Sequence, residues 1–562
     1  MAFILFILFS FEKPEEFLPR WMTAEESLRV DEIGKGHIVT APPEMTVVTP
    51  AEYEPVRGVF VTWDYGTFNS VEREIVRNVV ATCKAFIIAS ASDTSSIKSY
   101  LTSGGVPLDS VRFFIFPYNA VWIRDYGPWF IRKADNTEGI VDFQYNRPRP
   151  QDDNIPWRIG DTLGIPVYGS PLEHAGGNFM VDGHNTGFFS SLIYEENPSY
   201  NAQQIDSLML AYNGLEQTIP LKRILTEYTG HIDIWTKILN DTLVMVGEYA
   251  SGHPNDTVLD NRADSIANCK NREGFPYRVV RIVMPWSTSN APPTYLNSLF
   301  VNNRILVPTW GLPEDQQALL TYQQYLPGYT VVGINCSSMA NSGGAIHCIT
   351  MQVPKSQFLH IVHTPLSDTY YTPDPYRVRA RIITSGNLIP ESTLVYYKIN
   401  SNPAFTTTPL SPVIDTPGVY AGYIPPQSAG DTVHYFLLVK NSDGIRRTSP
   451  SYVPPQLYSF RILPVAVLEQ FNETVNGFAL YPNPAKGFIN FFVNLPYPAE
   501  VKIEIYNGLG QKIHCHEGNY DKGKHVIKYR ITTGNRSLPN GAYFYRAKIA
   551  ADTINGKFLL VK

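Results

Sequence analysis

Ser342-Gly343-Gly344-Ala345-Ile346-His347-Cys348-Ile349-Thr350-Met351-Gln352 is a glycine turn that runs into an apolar strand, with a thiol at the strand's entrance and a turn near Pro354-Lys355. The same succession of polar residue, strand, Asn/Asp/Gly turn and returning strand occurs four times upstream. It begins at Arg124-Asp125 with the turn Ala134-Asp135-Asn136, and at Gly177-Asn178 with a turn over 182–186. It recurs at His231-Ile232-Asp233 with Asn240-Asp241, and at Asn297 with Asn302-Asn303. The steps from Asp125 to Asn178, His231, Asn297 and Cys348 are 53, 53, 66 and 51 residues, and helical stretches such as 202–212 and 314–325 fill them. A repeat of this length marks one supersecondary unit used again and again. Five such α/β modules predict a closed, pseudo-symmetric ring whose five offered side chains converge on its axis. A functional site needs distant residues brought together in that way.

Upstream of the first repeat the pattern is mixed α/β. Residues 56–63, 86–90 and 111–117 read as strands, and Val71, Ile75, Val76, Val79 and Val80 form a helical stripe. A short helix is expected over 97–102. Residues 12–50 read as a polar, proline-bearing leader. Residues 1–11 are almost wholly apolar, which resembles a short export signal, although they carry no basic start. After about residue 365 the character changes. Thr372-Pro373-Asp374-Pro375 reads as a linker, and 376–463 shows short alternating strands at 377–383, 393–399 and 433–439, the pattern of an immunoglobulin-sized β-sandwich. A second proline-bearing stretch covers 453–457, and 478–562 is again all β.

With 562 residues the chain exceeds one core, so about three or four domains are expected. Its net charge of -5 is small for that size and argues against nucleic acid, which asks for a basic face. Five cysteines, at 83, 269, 336, 348 and 515, contain no C-x-x-C pair, so a zinc site is not expected, and at least one thiol stays unpaired within the chain. Cys348 is distinguished by the turn before it; the other four carry no expected role.

Cys348, His231, Asp125, Asp233 and Asn297 form the candidate catalytic set. A Cys and His pair alone would suit acyl transfer, as in cysteine proteases. Two aspartates point instead to a planar, cationic, multiply donating ligand, and a guanidinium matches carboxylates in pairs. Asp125 and Asp233 would then orient the guanidinium. Cys348 would attack its central carbon, and His231 would protonate departing ammonia and then deprotonate water. His231 and Asp233 stand at i and i+2 and would share a face in a strand. In Tyr145-Asn146-Arg147-Pro148-Arg149-Pro150, Arg147 and Arg149 share the same spacing between prolines. They read as a carboxylate clamp, or as a solvated basic turn balanced by Asp152-Asp153. His347 is expected to face away from Cys348, and Arg124 to pair with a neighbouring carboxylate. Asn178 and Asp182 are expected to be framework residues.

Asn119-Ala120-Val121-Trp122-Ile123-Arg124-Asp125-Tyr126-Gly127-Pro128-Trp129-Phe130 resembles the W-x-R-D-x-G-P-x-F motif of the agmatine deiminase and bacterial peptidylarginine deiminase family, within the pentein superfamily. Gly230-His231-Ile232-Asp233, Thr294-Tyr295-Leu296-Asn297-Ser298 and Gly343-Gly344-Ala345-Ile346-His347-Cys348 are similar to its other motifs, in order, over about residues 50–362. The resemblance implies a five-bladed α/β propeller. Within the family, Met180 stands in Gly176-Gly177-Asn178-Phe179-Met180-Val181-Asp182-Gly183 where agmatine deiminases usually carry His. The run from Asp142 to Pro150 resembles the Porphyromonas-type peptidylarginine deiminase, in which two arginines hold the carboxylate of a C-terminal arginine. By the same resemblance Trp122 and Tyr228 would flank the substrate side chain. Ala479-Leu480-Tyr481-Pro482-Asn483-Pro484-Ala485 and Gly541-Ala542-Tyr543-Phe544-Tyr545 are similar to type IX secretion sorting domains, which implies export to the surface of a Bacteroidetes-like cell by that machinery.

The expected organisation is therefore an export leader over 1–50, a pentein deiminase domain over 51–365, an immunoglobulin-like domain over 366–464 and a sorting domain over 475–562. The expected activity is conversion of peptidyl-arginine, C-terminal arginine above all, to citrulline and ammonia. Agmatine or free arginine is the alternative substrate, and a surface binding protein without catalysis the alternative class. The chemistry needs no cofactor and leaves room for a structural Ca²⁺ or Na⁺.

Overall fold

The computed structural model describes residues 17–225, 227–272, 274–450, 457–463, 477–486, 488–530, 532–533, 536–550 and 552–560. The apolar start at 1–11, and most of the proline-bearing stretch at 453–457, lie outside the described residues. The chain divides into two units: 1–366 with 375–425 and 433–459, and 367–374 with 426–432 and 460–562.

In the first unit, each expected module is an antiparallel hairpin whose second strand also pairs in parallel with a strand reached through a helix. Trp129–Lys133 pairs with Glu138–Gln144, and the latter runs parallel to Val167–Glu173. Met180–Val181, Thr186–Ser190 and Gln217–Leu221 repeat this arrangement. So do Thr236–Ile238 with Leu243–Glu248 and Arg278–Val283, and Leu299–Val301 with Arg304–Thr309 and Thr330–Asn335. The helices Ile155–Leu163, Ala202–Asn213, Asp256–Ala267 and Asp315–Tyr325 make the crossings that parallel pairing requires. Asn136, Asn185 and Asn302 take the left-handed conformation at three of the hairpin turns, which asparagine tolerates better than most residues.

The fifth module is assembled from both ends of this region. Thr350–Pro354 pairs antiparallel with Val56–Thr62, and Val56–Thr62 is parallel to Lys84–Ala89, which is parallel to Val111–Ile115. The helical stripe falls on Asn69–Val80, with Val71, Ile75, Val76 and Val79 fully buried. Each such side chain contributes about 1.5–3 kcal/mol of transfer free energy. Helix Ala202–Asn213 starts at a capping box between Asn201 and Gln204 and stops at left-handed Gly214.

Further along the same unit the structure is all β. Leu359–His363, Tyr376–Thr384, Val419–Ile424 and Ser411–Pro412 form one sheet in that order, and Leu394–Ile399 pairs with Thr406–Pro409 and Thr432–Lys440 in another. In the second unit, seven strands between Phe478 and Leu560 form one sheet. The strict alternation of Phe488–Leu495 buries Ile489, Phe491, Val493 and Leu495 on one face.

Candidate active site

The residues at the module entrances converge, and an arginine of the same chain lies between them. Arg20 is fully buried. Its Nε donates to Asp125 Oδ2 at 2.8 Å and its Nη2 to Asp125 Oδ1 at 2.9 Å, a paired contact. Nη2 also donates to both oxygens of Asp233 at 3.1 Å and lies 2.6 Å from His231 Nδ1. Nη1 donates to the Gly343 carbonyl at 3.4 Å. Burial opposes the Arg20 charge, but Asp125, Asp233 and Cys348 together hold the guanidinium protonated well beyond its ordinary range. Burial would likewise raise the two carboxyl groups. Arg20 and His231 outweigh it at Asp125, which is held well below its usual value, and Arg20 with His347 brings Asp233 down to about 2.

Cys348 lies two residues before its strand, as expected. Its Sγ is 3.2 Å from Asn297 Oδ1 and 3.6 Å from Asp233 Oδ2. Asn297 positions both: Oδ1 accepts from the backbone N–H groups of Ala345 at 3.0 Å and Cys348 at 3.3 Å, while Nδ2 donates to Asp233 Oδ2 at 3.0 Å. Burial pushes the thiol well above its ordinary value; Asp233 and Asp125 push the same way, and Arg20 pulls it back. The thiolate in this site is therefore tied to the presence of a cation.

Two local expectations change. His231 and Asp233 reach Arg20 from a single 3-10 turn, Ile232–Ile234, rather than from a strand. The Glu227 carboxylate accepts the N–H groups of Gly230 and His231 and fixes that turn. His347 does not face away, because residues 345–349 precede the strand. Its Nδ1 lies 2.9 Å from Asp233 Oδ2 and its Nε2 2.7 Å from Glu52 Oε1. Glu52 also receives Lys237 Nζ at 2.5 Å, and Arg124 Nη1 lies 3.5 Å from it, so Arg124 has the carboxylate partner expected of it. This buried chain holds Asp233 from behind. Asn178 and Asp182 are framework residues, accepting from Ser190 N and from His184 N, Thr186 N and Tyr277 OH.

Gly177 shows why a glycine precedes Asn178. A methyl group there would run into Arg20 Nη2 and would lie 2.6 Å from Asp125 Oδ1 and 2.8 Å from His231 Nδ1. Gly177→Ala is thus expected to lower kcat/KM for any guanidino substrate by about 10²-fold, corresponding to ~1–3 kcal/mol of overpacking. Thermal melting should move little once the guanidinium has gone. Equal activity of the variant would mean that substrate guanidinium sits elsewhere.

Arg147 and Arg149 are buried and turned toward the same segment. Arg147 Nε donates to the Arg20 carbonyl at 3.4 Å. Arg149 Nη2 donates to the carbonyls of Pro19 at 2.8 Å and Trp21 at 3.3 Å, while its Nε meets Glu26 Oε1 at 2.7 Å. Trp122 is buried and donates from Nε1 to the Leu18 carbonyl at 2.9 Å, and Tyr228 packs on Trp21 with ring centres 4.9 Å apart. Arg20 and Glu52 are the participants that sequence reasoning missed. Glu52 has no motif around it. Arg20 had one available signal: Leu18-Pro19-Arg20-Trp21 is itself an arginyl peptide in a chain expected to act on arginyl peptides.

Residues 48–354 match the model of the Porphyromonas-type peptidyl-arginine deiminase family, more than half of the chain. The chain belongs to that family. It is a deiminase of the pentein type, acting on guanidino groups. Residues 479–562 match a secretion system C-terminal sorting domain, so this deiminase is exported by the type IX route and attached at the cell surface. A Marinomonas protein named as an agmatine deiminase is 25% identical over 354 residues, covering 56% of the deiminase and 96% of the relative. A Legionella pneumophila protein of the same name is 26% identical over 344 residues, covering 56% and 98%. In fold, the deiminase is similar to the agmatine deiminase of Enterococcus faecalis, with a TM-score of 0.52 and 20% identity over 57% of this chain and 99% of that one. It is also similar to a Porphyromonas gingivalis structure named as an arginine deiminase, with a TM-score of 0.50 and 22% identity over 55% and 99%.

Proposed function

We propose that the protein is a secreted hydrolase that converts peptidyl-arginine to a citrullyl residue and ammonia through a covalent thiouronium on Cys348. One observation carries this reading: an arginine within a peptide segment of the chain fills the site, with two carboxylates on its guanidinium and two arginines on the carbonyls around its Cα. Asp125 and Asp233 orient the guanidinium and balance its charge. Cys348 Sγ bonds the central carbon. His231 Nδ1, against Nη2, passes a proton to the leaving nitrogen and takes one from the attacking water. Asn297 holds the thiol and Asp233 in register. We read the five modules as a five-bladed propeller over 51–365, followed by an immunoglobulin-like domain over 366–464 and the sorting domain over 475–562. A peptide ending in arginine places a carboxylate where Arg147 meets the Arg20 carbonyl, which adds an ion pair.

The test is citrulline and ammonia release from a peptide ending in arginine, from its amide and from agmatine. Replacing Arg147 and Arg149 together by alanine is expected to cost the peptide about 10²-fold or more in kcat/KM, at ~1.5–3 kcal/mol per charged hydrogen bond. Agmatine, which has no main-chain carbonyl, should be turned over nearly unchanged. Agmatine preferred by the wild type would move the protein to the small-molecule reading that its relatives' names suggest.

A further inference from the structure

We propose that Arg20 is a modification site of this chain, deiminated in cis by its own Cys348, and that its conversion to citrulline releases the segment from the site. The inference rests on the deiminase reading above and extends it to an internal arginine.

The whole peptide around Arg20 is seated, and not its side chain alone. The Arg20 N–H donates to the Ser342 carbonyl at 3.3 Å. Trp122, Arg147 and Arg149 take the carbonyls of Leu18, Pro19, Arg20 and Trp21, so four successive residues are read through their main chain. Tyr228 packs against the next aromatic ring, that of Trp21, at a tilt of 34°. Glu26 then ties the segment back to Arg149 through two contacts, at 2.7 and 3.1 Å. Arg20 has the guanidinium on which the chemistry acts, and Asp125, Asp233 and His231 all meet it.

The step balances. Sγ passes its proton to His231 and bonds Cζ of Arg20. The Cζ–Nη2 bond breaks and the nitrogen leaves as ammonia with that proton from His231. Water then adds to Cζ and gives a proton to His231, the Sγ–Cζ bond breaks as the new hydroxyl returns its proton to Sγ, and His231 passes its proton to the ammonia. The sum is guanidinium and water to a ureido group and ammonium. The product has lost the charge that Asp125 and Asp233 were balancing, so two buried carboxylates are left facing a neutral group. That arrangement disfavours the seated segment.

The experiment is peptide mass spectrometry of the full-length protein, wild type and Cys348→Ala, with folding of the variant checked by its melting curve. Citrulline at position 20 in the wild type at every protein concentration, with arginine there in Cys348→Ala, is the expected result. A wild type that turns over an arginyl peptide yet retains Arg20 as arginine overturns the inference and leaves the deiminase reading standing. Mixing the two proteins tests the intramolecular route: citrulline appearing in Cys348→Ala as fast as in the wild type overturns deimination in cis. A wild type that acts neither on Arg20, nor on arginyl peptide, nor on agmatine overturns the deiminase reading as well.

Discussion

Cys348→Ala is expected to lower turnover of an arginyl peptide by about 10⁴-fold or more, the scale of loss when a nucleophile is removed, while binding of the peptide survives. The two effects separate because different atoms carry them. The guanidinium is held by Asp125 and Asp233, and the flanking carbonyls by Arg147, Arg149 and Trp122. The thiol donates none of those contacts. Citrulline release by Cys348→Ala, and calorimetric binding to Cys348→Ala that also carries Arg20→Ala and so lacks the chain's own guanidinium in the site, check the two halves; a double variant that fails to bind would show that the thiol is also an anchor. The same site sets the pH dependence. Burial and the two aspartates push the thiol up and only the cation pulls it down. For the wild type, kcat/KM is therefore expected to climb as pH rises above about 7, toward ionisation of the thiol. A profile flat through that range would mean a preformed thiolate.

Asp233→Asn is expected to cost about 10²- to 10⁴-fold in kcat/KM, following the ~3–5 kcal/mol lost when one member of a buried ion pair is removed. Asp233 meets four groups at once: the guanidinium, the Asn297 amide, the His347 ring and the Cys348 thiol. The carboxylate is held at about 2, below its unfolded value. A depressed carboxyl group stabilises the fold fully above its unfolded pKa near ~4, and that contribution disappears as pH falls through the folded value. Melting temperature followed from about pH 5 down to about pH 2 should thus fall more steeply in the wild type than in Asp233→Asn. Parallel curves would place the acid-sensitive group elsewhere.

The order of the modules was legible because it is written locally. Asn136, Asn185 and Asn302 mark hairpin turns, and a polar residue stands just before the inner strand of each module. The spacing of those residues was enough to bring Asp125, His231, Asp233, Asn297 and Cys348 together. The backbone that presents them was less legible. Two residues at i and i+2 suggest a strand, but Glu227 captures the N–H groups before Ile232 and winds a 3-10 turn instead. Arg20 and Glu52 were hidden for a different reason. Their partners lie 72 to 323 residues away, so no window of sequence contains the interaction. Nothing in the sequence marks the need for a glycine at Gly177; the Arg20 guanidinium beside it supplies the reason.

The strand after Cys348 closes its sheet against Val56–Thr62, the first long strand of the deiminase region. In a chain that emerges N-terminus first, Asp125, His231, Asp233 and Asn297 therefore all precede the thiol that completes them. Cys348 is the last of the five, two residues before this closing strand. The nucleophile thus joins the chain next to the strand whose pairing with Val56–Thr62 ties the two ends of the deiminase region together.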